Sequence, residues 1–261
     1  MSAEEIETDQ LKLSQNNDRC DVPEGWGEES LSAFIEFANR NTYGTFVHYK
    51  DWFARLQQID ATFDKFSATM LNVPVFYEPF LFVRSHSSYR AAIRLASSGQ
   101  VPEALSLLRG CIEYALYGFY LNKFPTAIKT WTERDDNEAG KKKARKELTF
   151  GRLLSELDKS NVSVGKATRH LYELTIDAGA HPNRKTITLA MRPQETDELV
   201  SFDLAQLNND PIMLIMTLKT CAQVGLCCLK IFRLVFRERF DLLGISDDIE
   251  KLSHPVGLIP L

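Results

Sequence analysis

Two long segments with apolar stripes, joined by only four residues, constrain this chain more than anything else in it. The first, PVFYEPFLFVRSHSSYRAAIRLASSG, opens on Pro74 and closes on Gly99; the second runs from Pro102 to Phe124 and stops before Pro125. Proline at a helix start and glycine just past its end are the residues those positions favour. Pro79 lies in the first turns, so the first helix either kinks there or truly begins there. Two helices linked through Ser98–Val101 must pack antiparallel. With the turn near Gly99, residues whose numbers sum to about 199 share a height. Arg90 then lies level with Arg109, and His86 level with Glu113.

The same periodicity organises the remainder. Residues 1–29 hold nine acidic residues against two basic ones, which predicts a flexible acidic leader ahead of a single helical domain over residues 30–261. Order is expected to begin with Glu29 or Ser30 as the N-cap, and Asn41–Thr45 with Gly44 predicts a break. Apolar residues from Phe46 to about Leu71 recur every three or four positions, an amphipathic helix. A short helix follows Pro125, then a charged one over Asn137–Ser160, another over Asn161–Ala178, a long one over Asp210–Phe240 and a last short one from Ser246. Between them the period changes: Ile187, Leu189 and Met191 alternate with Thr186, Thr188 and Ala190, a strand pattern that Leu199–Leu204 would pair with. The expected architecture is all-α, a multi-helix bundle on a long antiparallel hairpin, with a small β-hairpin near residues 185–204.

Composition narrows the function classes. A net charge of −4 argues against coating nucleic acid by bulk electrostatics and leaves room for a local basic patch. The opening MSAEEIETDQ has neither a basic nor an apolar signal region, so a cytoplasmic location is expected. Cys111, Cys221, Cys227 and Cys228 sit in apolar helical patterns, and with Cys20 the count is odd, which suits reduced core thiols. Ile212–Phe236 is strongly apolar, but Lys219, Gln223, Lys230 and Arg233 interrupt it, so it reads as a core helix and no membrane is expected. No Gly-rich phosphate loop, GxSxG, HExxH or CxxC is present, and no cofactor is implied.

Three groups of residues carry possible chemistry. On the hairpin, His86, Arg90, Arg109 and Glu113 are expected within reach of one another, either as an anion or phosphate site or as an ion-pair network locking two helices in register. Near the end of the Asn161 helix, His170, Asp177 and His181 share a helical face, but Gly179 ends that helix, so no metal site is expected. His181 is the histidine best placed to act as acid or base, with Arg184 close by. Third, the basic run Lys141–Lys146 reads as a solvated helix face; the alternative is an RNA-backbone contact, although no aromatics interleave the run to stack bases.

The stretches SYRAAIRLASSGQVPEALSLLRGCIEYALYGFYL, WTERDD and LYELTIDAGAHPNRKTI resemble a loose group of uncharacterised bacterial helical proteins. The recurring elements correspond to Arg109 with Glu113, Trp131 with Arg134, and His181 with Pro182. That group is similar to HEPN-type bundles, many of which are ribonucleases or their inactive relatives in toxin–antitoxin and phage-defence systems. The resemblance spans roughly residues 85–190. HEPN ribonucleases carry an Arg followed four to six residues later by His, and no such pair occurs here, unless Asp177 and His181 stand in for it. The resemblance therefore implies a non-catalytic binding or regulatory member with a protein or RNA partner. The alternatives are a metal-independent RNase using His181 with Arg184, Arg109 and Glu113, and a small-anion or nucleotide sensor. Homo-oligomerisation is left open.

Overall fold

Gly99 turns the chain between the two long helices in a left-handed conformation, φ +90°. Its amide donates to the Ala96 carbonyl and that of Gln100 to Leu95, satisfying the last carbonyls of the helix in a Schellman arrangement. A second constraint acts at the same residue. A Cβ there would lie 2.5 Å from the carbonyl oxygen of Asn208, whose amide donates to the Gly99 carbonyl at 2.8 Å.

The structure, a computed structural model, describes residues 22–70, 77–180, 191–196, 199–204 and 206–254. The chain divides into two compact units, Met1–Asn39 and Arg40–Leu261. In order, the helices are α1 (Ser30–His48), α2 (Lys50–Ser67), α3 (Tyr77–Ser98), α4 (Val101–Lys123), α5 (Thr126–Thr132), α6 (Glu138–Glu147), α7 (Phe150–Ser160), α8 (Val162–Thr175), α9 (Pro211–Val235), α10 (Arg237–Leu242) and α11 (Ile245–Ser253). A 3₁₀ turn, Glu133–Asp135, precedes α6, and a π-helical turn, Ile176–Ala180, extends α8.

The α3–α4 hairpin is antiparallel at the expected heights. Ser85 Oγ donates to the Cys111 carbonyl at 3.0 Å, and the Arg84 guanidinium lies 5.5 Å from the centre of the Tyr114 ring. The long helix α9 packs along α4, α3 and α2. Rings from α2 (Phe63, Phe66), α3 (Phe82), α9 (Phe232) and α10 (Phe240) are all buried and pack in edge and tilted contacts, among them Phe66–Phe82 at 4.6 Å and Phe82–Phe232 at 4.8 Å. Burying a ring of this size stabilises by roughly 1.5–3 kcal/mol, so this junction is the main hydrophobic anchor of the bundle. Cys111, Cys221, Cys227 and Cys228 are buried and unbridged. Among the described residues α9 alone is long and apolar enough to cross a membrane, and 61% of its most apolar stretch is buried inside the protein.

Several expectations are corrected. The break predicted at Asn41–Thr45 is absent. α1 runs on through Gly44 to His48, where Asn41 Nδ2 and Thr45 Oγ1 donate to the Ser98 and Ser97 carbonyls and hold that segment to the end of α3. The charged helix over Asn137–Ser160 is two helices, because Thr149 takes an extended conformation and its side chain caps the Arg152 amide. The long last helix stops at Val235, where Phe236 leaves the helical region.

The predicted combination of a bundle with a β-hairpin over residues 185–204 also fails as stated: the fold is all-α in its layers. Ile187 and Leu189 lie outside the described residues, and what pairs is a short ribbon of β1 (Met191–Thr196) and β2 (Leu199–Leu204), with Met191 opposite Leu204 and Thr196 opposite Leu199. An isolated ribbon of this size adds no sheet layer.

Candidate polar sites on the helical bundle

The four hairpin residues expected together belong to two networks on different sides of the bundle. Height along the hairpin is as expected, but direction around each helix is not. Ser85 faces α4, and His86, one residue and about 100° further round, faces α2 instead.

The first network joins α3 to α2. His86 is buried, stacks on Phe63 at 4.8 Å, and its Nε2 lies 2.6 Å from Asp60 Oδ1. Arg90, one turn on, grips Asp60 through two bonds, Nε to Oδ1 at 2.8 Å and Nη2 to Oδ2 at 2.9 Å, and also pairs with Asp64. Burial works to raise the pKa of Asp60, but the bonds from His86 and Arg90 outweigh it and hold the carboxyl at about 2. Two carboxylates therefore already occupy the Arg90 guanidinium. Sequence reasoning missed Asp60 and Asp64, yet a signal was present: two acids four apart, flanking the apolar stripe of Leu56, Ile59, Phe63 and Phe66, complement the basic pair His86 and Arg90 at the same spacing.

The second network joins α4 to α8. Arg109 Nε donates to Glu113 Oε1 at 2.9 Å, and the hydroxyl of Tyr172 donates to the same oxygen at 2.9 Å. The Tyr172 ring is buried between Phe150, stacked at 3.4 Å, and the Arg109 guanidinium, 5.3 Å from its centre. Burial, reinforced by the Glu113 charge, pushes the Tyr172 phenol up to about 12, so it stays a neutral donor. Tyr117, one turn beyond Glu113, donates to the Leu148 carbonyl at 3.1 Å, and the Arg134 charge acts on it. The π turn at the end of α8 packs near the start of α4: a Cβ at Gly179 would meet Leu105 Cβ at 2.5 Å and the Pro102 carbonyl at 2.7 Å. Such turns inside helices concentrate at functional sites. His181 and Arg184, which follow it, lie outside the described residues.

Trp131 packs edge-on against Tyr77 at 5.1 Å, and Arg134 lies 3.9 Å from Asp135. Next to them α6 carries the basic run. Ala144 is buried in the core and fixes which face points outward; Lys142, Lys143, Arg145 and Lys146 are exposed. Lys141 pairs with Glu138, while the other four form no hydrogen bond or ion pair among the described residues. The aromatics missing from the run itself come from its neighbours: Tyr117 meets the end of α6, Trp131 is on α5 packed against it, and Phe150 opens the next helix. All three are partly exposed. Among the described residues no three His, Cys, Asp or Glu side chains converge to hold a metal ion.

No curated protein and no solved structure matches the chain. A family model, described as a family of unknown function (DUF5677), matches residues 77–199, just under half of the chain. The matched segment contains α3 to α8 and β1 and ends on the first residue of β2, and it holds Arg109, Glu113, Trp131, Arg134, Tyr172, His181 and Arg184; Asp60 and Asp64 lie outside it.

Proposed function

We propose that this chain is a non-catalytic, HEPN-like helical-bundle protein of the cytoplasm that contacts single-stranded RNA through α6 and the aromatic residues beside it. The observation that carries this reading is the unpaired charge of α6. Four exposed cations lie within five residues, unopposed by carboxylates, in a protein whose net charge is −4. A phosphate backbone is the partner that such a stripe suits, and partly exposed Tyr117, Trp131 and Phe150 supply stacking faces that tolerate any base. The Arg109–Glu113–Tyr172 network supports a binding role more than a catalytic one, since Arg109 and Tyr172 both donate to the Glu113 carboxylate and the phenol is held neutral. A place in a defence or toxin–antitoxin system is the corresponding biological context.

The test is retention and integrity of a mixed-sequence RNA with pure protein in EDTA. The expected result is retention of intact RNA, lost when Lys142, Lys143, Arg145 and Lys146 are all changed to Gln. Cleavage that disappears in His181→Ala would replace this reading with that of a metal-independent RNase.

A further inference from the structure

A second basic feature lies away from α6, and it is a cavity. A space of about 370 Å³ opens between the start of α8 and the end of α9, lined by Asn161, Ser163, Lys230, Arg233, Arg237 and Glu250. Its charge is unbalanced. Arg233 Nη1 donates to Glu250 at 2.7 Å, which neutralises the one carboxylate. Lys230 and Arg237 have no hydrogen bond or ion pair among the described residues. Lys230 and Arg233 lie three apart on α9, and Arg237 opens α10 beyond the break at Phe236; all three line the cavity. Two like charges in one cleft repel each other, and an anion between them removes that repulsion.

Two further features fit the same ligand. The first-turn amides of α8 have no intrahelical acceptors, and the Asn161 side chain caps only that of Val164, at 3.1 Å. The amides of Val162 and Ser163 and the positive end of the helix therefore add to the field of the cations. The floor contributes no opposing charge: burial pushes the Cys227 thiol up to about 11, so it is neutral. Apolar Val164, Ala167 and Leu234 complete the lining. The volume sits at the small end of ligand cavities, which span roughly 300–1,000 Å³. It exceeds what a bare phosphate needs.

We infer that this cavity binds a small phosphate monoester, its phosphate between Lys230, Arg237 and the start of α8, and its organic part over Val164, Ala167 and Leu234. The site is independent of the α6 surface.

The test is thermal unfolding of the full chain titrated with inorganic phosphate and with ribose 5-phosphate, against potassium chloride at matched ionic strength. A ligand that binds only the folded state raises Tm in a saturable way. The expected result is a saturable rise with both phosphates and none with chloride, with the ester at least tenfold tighter. The double variant Lys230→Gln, Arg237→Gln should weaken both at least tenfold, while the α6 quadruple variant binds both normally. Both altered side chains lie at the surface of the cavity without partners, and an unchanged far-UV CD spectrum checks the fold. Absence of any saturable shift, or a shift that the double variant keeps, overturns the site. Equal affinity for phosphate and the ester overturns the assignment of an organic group. Loss of phosphate binding in the α6 variant would show that α6 supplies the binding and would also overturn it.

Discussion

Asp60 is the residue on which the α2–α3 contact turns. It accepts from a buried imidazole and from both sides of a guanidinium, and its folded pKa of about 2 lies below its ordinary value of 3.8. A depressed carboxylate contributes stability that is present above about pH 4 and lost as pH falls toward 2, because in that window the unfolded chain binds the proton first. Urea midpoints should therefore show Asp60→Asn less stable than wild type at pH 5, with the gap narrowing by pH 2.5; a constant gap would mean that the charge of Asp60 is not what matters. This network was half legible in the sequence. The rise per residue placed His86 and Arg90 at their heights, and local spacing put Arg109 beside Glu113. The partners were hidden because Asp60 lies on a different helix, 30 residues before Arg90, and Tyr172 is 59 residues beyond Glu113. Direction around a helix is decided by what packs on each side, and no local pattern records that.

Among the elements, the α3–α4 hairpin was the most legible, because its signals are local: prolines at the starts, a glycine at the turn and apolar residues three and four apart. Gly99 carries two demands at once, a positive φ and the close approach of Asn208. Gly99→Ala is expected to destabilise by about 1–3 kcal/mol, read as a lower urea midpoint at unchanged slope. An unchanged midpoint would mean that the turn relaxes freely. Elsewhere the same local signals misled. Gly44 reads as a breaker but is carried through α1, where Asn41 and Thr45 anchor the helix to the end of α3. The alternation at Ile187–Met191 reads as a strand, but the described strand opposite Leu199–Leu204 is Met191–Thr196, a segment without that alternation.

At the scale of the whole molecule, a mildly acidic protein sets four unpaired cations on the outer face of α6 and two more, Lys230 and Arg237, in the cavity at the start of α8. The basic run was visible in the sequence, but the aromatic rings bordering it were not, since Tyr117, Trp131 and Phe150 reach α6 only through the packing of α4 and α5 and the chain turn at Thr149. The cavity was invisible for the same reason: Asn161 and Arg237 meet only in the fold. The proposed grip of α6 on a single-stranded phosphate backbone is tested by the salt dependence of RNA binding, followed by fluorescence anisotropy. Each neutralised phosphate on a single strand contributes a log–log slope of about −0.7, so engagement of the four free α6 cations predicts a slope of about −3. With those four changed to Gln, the slope should flatten toward zero. No binding by the wild-type chain at low salt, or the same slope in the variant, would contradict the account.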